Sequence, residues 1–242
     1  GKLLGEGSNK KVYVCLRLEG DVIAKRAEVR ISAKGEREAK AALDEDLLAD
    51  EFPSPHIVDV SEDLIIYEGK KFAHKLRFIQ PLMIDGYQFI DEKHSFDERL
   101  KMIEGAARGL KCMHDKGYLH RDVKPHNIFI DDKGCTKLAD LGLAISCDEK
   151  VLPGGTPEFL PIAWDPDGSG FLTEKQTFKT DIFSLGITIE EIMNGQRSSD
   201  IAKLVLYMTH YDPKKRPRIG KVINIIEGLR KGEKPDWKMI SV

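Results

Sequence analysis

The sequence predicts an α+β fold of two lobes, a small β-rich one over about residues 1–82 and a larger helical one over about 83–242, within a single domain. Three observations predict it. Residues 1–82 carry short runs in which apolar and polar residues alternate with a period near two, the spacing of half-buried strands. After Pro81 the apolar spacing changes to three and four residues, the period of helices packed on one face. Finally, 242 residues with 41% hydrophobic and 32% charged side chains can bury a sizeable core.

The elements follow in chain order. The runs 12–18, 22–27, 64–68 and 75–80 are each four to seven residues of alternating character and read as strands of an antiparallel sheet. Segment 36–52 interrupts them with an apolar stripe at Ala39, Leu43 and Leu47, one helical face. Pro53-Ser54-Pro55 ends it, because proline lacks the N–H a helix needs and restricts the residue before it. Residues 81–86 read as the hinge between the lobes. Segment 96–116 reads as a long helix with Leu100, Ile103, Ala107, Leu110 and Met113 on one face, and Gly117 as its stop. Asp131-Asp132-Lys133-Gly134 signals a tight turn, with 135–139 as the return strand. Segments 182–193 and 221–229 also read as helices.

Composition narrows the partners. Lys plus Arg number 38 against 40 Asp plus Glu, a net charge of −2, which gives no support for a mainly electrostatic nucleic-acid binder. No run of about 18 apolar residues exists, so no membrane-spanning segment is expected, and Gly1-Lys2-Leu3-Leu4-Gly5 does not read as a secretory signal. Cys15, Cys112, Cys135 and Cys147 form no C-x-x-C pair and read as reduced, buried thiols of an intracellular, cytoplasmic or nuclear protein.

Four motifs carry chemistry. Gly5-Glu6-Gly7 opens a glycine-rich turn that leads to Val12, and glycine lets backbone N–H groups approach a phosphate with no Cβ in the way. Val22-Ile23-Ala24-Lys25 sets a lysine in an apolar strand, where an inward ammonium is costly unless paired. His120-Arg121-Asp122-Val123-Lys124-Pro125-His126-Asn127 follows, and thirteen residues later comes Asp140-Leu141-Gly142. In this order the motifs resemble the signature set of the eukaryotic-type protein kinase family over nearly the whole chain. Lys124 resembles the Ser/Thr-directed members.

The resemblance implies roles. Asp122 would be the catalytic base, Lys124 would neutralise charge on the transferred phosphoryl group, and Asn127 and Asp140 would hold Mg²⁺, or Mn²⁺ in its place. Lys25 would pair with the α/β-phosphates of ATP and with a helix glutamate, Glu45 or alternatively Glu38. The nucleotide would be held by Gly5, Gly7, Val12, Ala24, Lys25, Gln80, Leu82, Asn127 and Asp140, with Ile79 behind the adenine. Pro81 has no N–H, so the hinge donor falls to Leu82. Asp181 would brace the catalytic loop. Arg121 is the cation that in this family awaits a phosphorylated activation segment; here Asp148 or Glu149 would supply the counter-charge, and activity would need no phosphorylation there. The partner would be a protein bearing Ser or Thr. Oligomeric state is left open.

Three departures stand beside the resemblance. Lys10 replaces the third glycine of the loop. Pro161-Ile162-Ala163 stands where the family has Ala-Pro-Glu, so Arg216 needs another partner. And 165–176 reads like a calcium loop, with oxygen-bearing side chains at Asp165, Asp167, Ser169 and Thr173, Gly170 at the turn and Gln176 in place of the final glutamate. That substitution implies weak Ca²⁺ binding or an ordinary surface loop. Two rival functions remain: a nucleotide-binding scaffold without catalysis, and a small-molecule kinase on the same fold.

Overall fold

A computed structural model describes residues 2–6, 10–19, 22–33, 48–58, 62–68, 73–91, 93–148, 154–164, 171–173, 175–196 and 198–239. Every alternating run of the first third is a strand. β1 (Leu3–Glu6), β2 (Lys10–Glu19), β3 (Val22–Ala33), β4 (Glu62–Glu68) and β5 (Ala73–Pro81) form one antiparallel sheet in the order β1-β2-β3-β5-β4. β3 runs six residues beyond its predicted end, because its second half pairs with β5 as far as Ala33 opposite His74. The predicted helix 36–52 lies outside the described residues as far as Leu47. Its final turn, Leu48, Ala49 and Asp50, packs two apolar side chains on the core before Pro53. Phe52 is buried and meets Tyr118 edge-on at 5.3 Å between ring centroids.

The remainder is largely helical, which completes the two-lobed α+β architecture. The predicted hinge is more ordered than expected. β6 (Met83–Asp85) pairs with β8 (Ile128–Asp131), which pairs with β9 (Thr136–Leu138). α1 (Gly86–Asp91) follows β6 directly, with Asp85 accepting hydrogen bonds from the N–H groups of Tyr87 and Gln88. α2 (Phe96–Asp115) starts at a capping box, in which Ser95 accepts from the Glu98 N–H while Glu98 accepts from the Ser95 N–H. It stops before Gly117, whose φ is +79°. All five predicted face residues of α2 are buried completely.

α3 (Phe178–Met193) begins four residues before its predicted start because Thr177 caps it, and Asn194 in a left-handed conformation ends it. It is buried on most sides. α5 (Ile219–Arg230) likewise exceeds the predicted 221–229 by two residues and one. α4 (Ser199–Met208) and α1 were not predicted. α4 buries Ile201, Leu204, Val205 and Met208 but leaves Leu206 exposed, so its stripe is narrow. The segment before β4 is wedged between α2 and β9. Val58 N–H donates to Leu138 O, Leu138 N–H donates to His56 O, and a Cβ on Gly109 would come within 2.4 Å of His56 O. The cysteines are free but not buried as expected: Cys147 is exposed and the other three are half-buried.

Candidate active site

The site is built on α3. Asp181, in its first turn, is 1% exposed and accepts three hydrogen bonds: from His120 N–H at 2.9 Å, from Arg121 N–H at 2.8 Å and from His114 Nε2 at 2.9 Å. Burial alone would raise its carboxyl, but the hydrogen bonds and nearby imidazoles outweigh it and hold it below the ordinary value. Two turns on, Thr188 donates to Val123 O. The loop after β7 (Tyr118–Leu119) is thus pinned to a rigid helix, as its predicted bracing role requires.

His120 is fully buried. Its Nδ1 accepts the Asp122 N–H at 3.2 Å, so the ring proton lies on Nε2, which meets Ala139 O at 3.0 Å. Burial lowers its basicity and keeps it neutral. His120 therefore ties the loop to the hairpin that follows, an architectural role. Arg121 has φ +73°, a left-handed conformation rare for a residue with a Cβ, and the two ends of Asp181 fix it there.

Asp122 sits at the centre. Its Oδ2 accepts from Lys124 Nζ at 2.8 Å and Asn127 Nδ2 at 3.0 Å; its Oδ1 accepts from Thr156 N–H at 3.0 Å and Thr156 Oγ1 at 2.6 Å. Burial pushes its carboxyl up, yet the bonds from Lys124, Thr156 and Asn127 carry it below the ordinary range, so it is ionised at neutral pH. Lys124 Nζ also donates to Thr156 Oγ1 at 2.6 Å. Thr156 is thus a direct partner of Asp122. Its position depends on Gly155, whose φ of +109° and whose approach to Arg121 O exclude a Cβ.

The β8–β9 hairpin brings Asn127 and Asp140 to one end. Gly134 at φ +73° closes the predicted turn, Asp131 accepts the N–H groups of Lys133 and Cys135, and Ala139 N–H donates to Asn127 O at 2.9 Å. The Asn127 amide nitrogen donates to Asp122 O and Oδ2, which leaves its carbonyl oxygen available to a cation. Asp140 is exposed with φ 61° and ψ 68°. Two hard oxygens suit a Mg²⁺ that arrives with phosphates better than a resident ion. The described residues contain no cluster of three or more His, Cys, Asp or Glu that could hold a metal.

In the small lobe, the register sets Val12 opposite Val29, Ala24 opposite Arg17, Lys25 opposite Leu16 and Gln80 opposite Ala27. Gly5 lies in β1 opposite Val12, and Leu82 is half-buried between β5 and β6. Gly7, Glu38, Glu45 and Glu149 fall outside the described residues.

Arg216 finds other partners, as expected. Arg216, 2% exposed, donates to the carbonyls of His210 at 2.8 Å and Lys179 at 3.0 Å and lies over the Phe183 ring at 5.0 Å. Backbone carbonyls and an aromatic face are thus among its partners. The calcium reading falls largely on residues 165–170, which lie outside the described residues; its last position, Gln176, is engaged elsewhere. β11 (Phe171–Thr173) pairs with β10 (Ile162–Trp164), and the Gln176 amide is buried against Arg121 and Gly154 O.

Comparison with known proteins agrees with this geometry. Residues 1–200 match the family "Protein kinase domain". The chain is 32% identical over 216 residues to mitogen-activated protein kinase kinase kinase 3 of Arabidopsis thaliana, covering 81% of this chain and 35% of that protein. It is 30% identical over 213 residues to the proline-rich receptor-like protein kinase PERK15 of the same plant, covering 82% and 39%. A probable serine/threonine-protein kinase, ireA of Dictyostelium discoideum, is 30% identical over 150 residues, covering 51% and 15%. The chain thus spans less than two fifths of the length of these relatives.

Proposed function

Because the chain belongs to the protein kinase family, we propose that it is an active serine/threonine kinase that transfers the γ-phosphoryl group of Mg-ATP to a hydroxyl on a protein. The observation that carries this reading is the Asp122 carboxylate, ionised and oriented by Lys124, Asn127 and Thr156 together.

The chain's residues divide the work. Asp122 orients the incoming hydroxyl and takes up its proton as the oxygen–phosphorus bond forms and the bridge to the leaving diphosphate breaks. The Lys124 ammonium, 2.8 Å from Asp122, stabilises the negative charge on the moving phosphoryl group. Asn127 and Asp140 would hold Mg²⁺, which supplies charge neutralisation at the phosphates. Lys25, with Glu45 or Glu38, would hold the α/β-phosphates; Gly5, Gly7, Val12, Ala24, Gln80 and Leu82 would enclose the nucleotide. A single kinase domain with its lobes meeting near residue 82 accommodates all of these.

The test is transfer from γ-labelled ATP with Mg²⁺ to a generic Ser/Thr-rich protein. Asp122→Asn should lower kcat by about a hundred- to ten-thousandfold, the usual worth of a positioned base. Transfer that survives this change would refute the assignment. The full occupation of Asp122 Oδ1 by Thr156 favours the scaffold as second reading, which predicts ATP binding with no transfer by either protein.

A further inference from the structure

We propose that Gln176 is a positioning residue: a neutral clamp that joins the catalytic loop to both ends of the activation segment through Arg121 and makes a phosphate on that segment unnecessary. The inference rests on the kinase reading above and goes beyond it.

Arg121 is 7% exposed and Gln176 5%. Arg121 Nε donates to Gln176 Oε1, and its Nη1 donates to Leu143 O at 3.1 Å, near the start of the segment. The amide of Gln176 then donates from Nε2 to Gly154 O at 2.6 Å, near the segment's end. A carboxylate or phosphate could accept from Arg121 but could not also donate to a carbonyl; a primary amide does both. The fit is close. A Cβ on Gly154 would lie 2.6 Å from Arg121 Nη2, and one on Gly155 would lie 2.4 Å from Arg121 O, so the backbone of the segment rests directly on the arginine.

The clamp is anchored at its far side. Gln176 immediately precedes Thr177, the cap of α3, and α3 carries Asp181, which holds the Arg121 N–H. One rigid helix therefore fixes both partners of the contact. Two residues beyond Gly154 comes Thr156, whose N–H and hydroxyl reach Asp122. Gln176 acts on the reacting groups only through this chain of contacts.

The experiment compares wild type with Gln176→Leu, which keeps the volume and removes both polar atoms, and with Gln176→Ala. Three quantities are read: amide hydrogen exchange across residues 154–160, steady-state phosphoryl transfer, and transfer by wild type after exhaustive phosphatase treatment. The expected results are Thr156 exchange at least tenfold faster in both variants, with exchange in the middle of α3 unchanged. Transfer should show kcat at least tenfold lower with KM for ATP within twofold, and dephosphorylated wild type should keep its activity within twofold. Exchange and kcat within twofold of wild type in Gln176→Leu would overturn the clamp, as would loss of wild-type activity on dephosphorylation. Should no protein transfer phosphate, the kinase reading falls, and the exchange data still decide whether Gln176 holds the segment.

Discussion

At the scale of single residues, two buried carboxylates set the acid limit of the fold. Asp122 and Asp181 are each pushed up by burial and pulled further down by hydrogen bonds, Asp122 by Lys124 first and Asp181 by His114 first. Their depressed folded values mean that the stability they add is complete above their unfolded value near 3.9 and is lost as pH falls through the lower folded values. Asp181→Asn should cost roughly 2–3 kcal/mol at pH 7, because buried N–H groups lose a charged acceptor. Its unfolding free energy should also depend less on pH between 5 and 3, which urea titrations across that range would check. Tyr87 offers a spectroscopic handle. Burial first, then its hydrogen bond to Glu191 at 2.9 Å, raises its phenol to about 12. Ultraviolet titration of the six tyrosines should show a late phase that disappears in Tyr87→Phe. The residues of the motifs were readable because they sit within a few positions of each other. Thr156 and Gln176 were not, since their partners lie 34 and 55 residues away and depend on how the chain returns. Spacing alone leaves Gln176 at the end of a weak calcium loop or of an ordinary surface loop, and only the tertiary placement shows its partners.

At the scale of elements, periodicity predicted the long pieces and missed the short ones. α2 spans 20 residues with an unbroken apolar face. α1, with six residues and one buried side chain, Phe89, offers too little pattern. It is held by Asp85 at its start and by the Gly86 contact with Pro125 O, which no helical period encodes. Boundaries moved where caps decide them. Thr177 starts α3 earlier than its apolar residues suggest, because the cap satisfies the first N–H groups regardless of hydrophobicity. The same logic gives a prediction for α2. Ser95→Ala removes one half of the capping box and should destabilise the protein by about 1 kcal/mol, measured by chemical denaturation, with little effect on phosphoryl transfer.

At the scale of the molecule, the core does not stop where the family match stops. The match ends at residue 200, whereas α4 and α5 contribute Ile201, Leu204, Met208, Val222, Ile223 and Ile226 to the same buried cluster as α2 and α3. Each such side chain is worth roughly 1.5–3 kcal/mol when buried, and their sum is on the order of the whole stability of a domain. A chain ending at Asp200 should therefore lack a cooperative unfolding transition and bind hydrophobic dyes, whereas one ending at Gly232 should melt as a single unit. Scanning calorimetry distinguishes the two.

Asp140 has a consequence for how this protein would respond to selection. Its backbone sits at φ 61°, where a residue with a Cβ is strained by roughly 1 kcal/mol and glycine is not. Selection of random variants for heat resistance alone should therefore enrich Asp140→Gly. Given the metal-holding role proposed for Asp140, the survivors would be hardier and catalytically dead, so a library drawn from this chain has to be screened for turnover and endurance together.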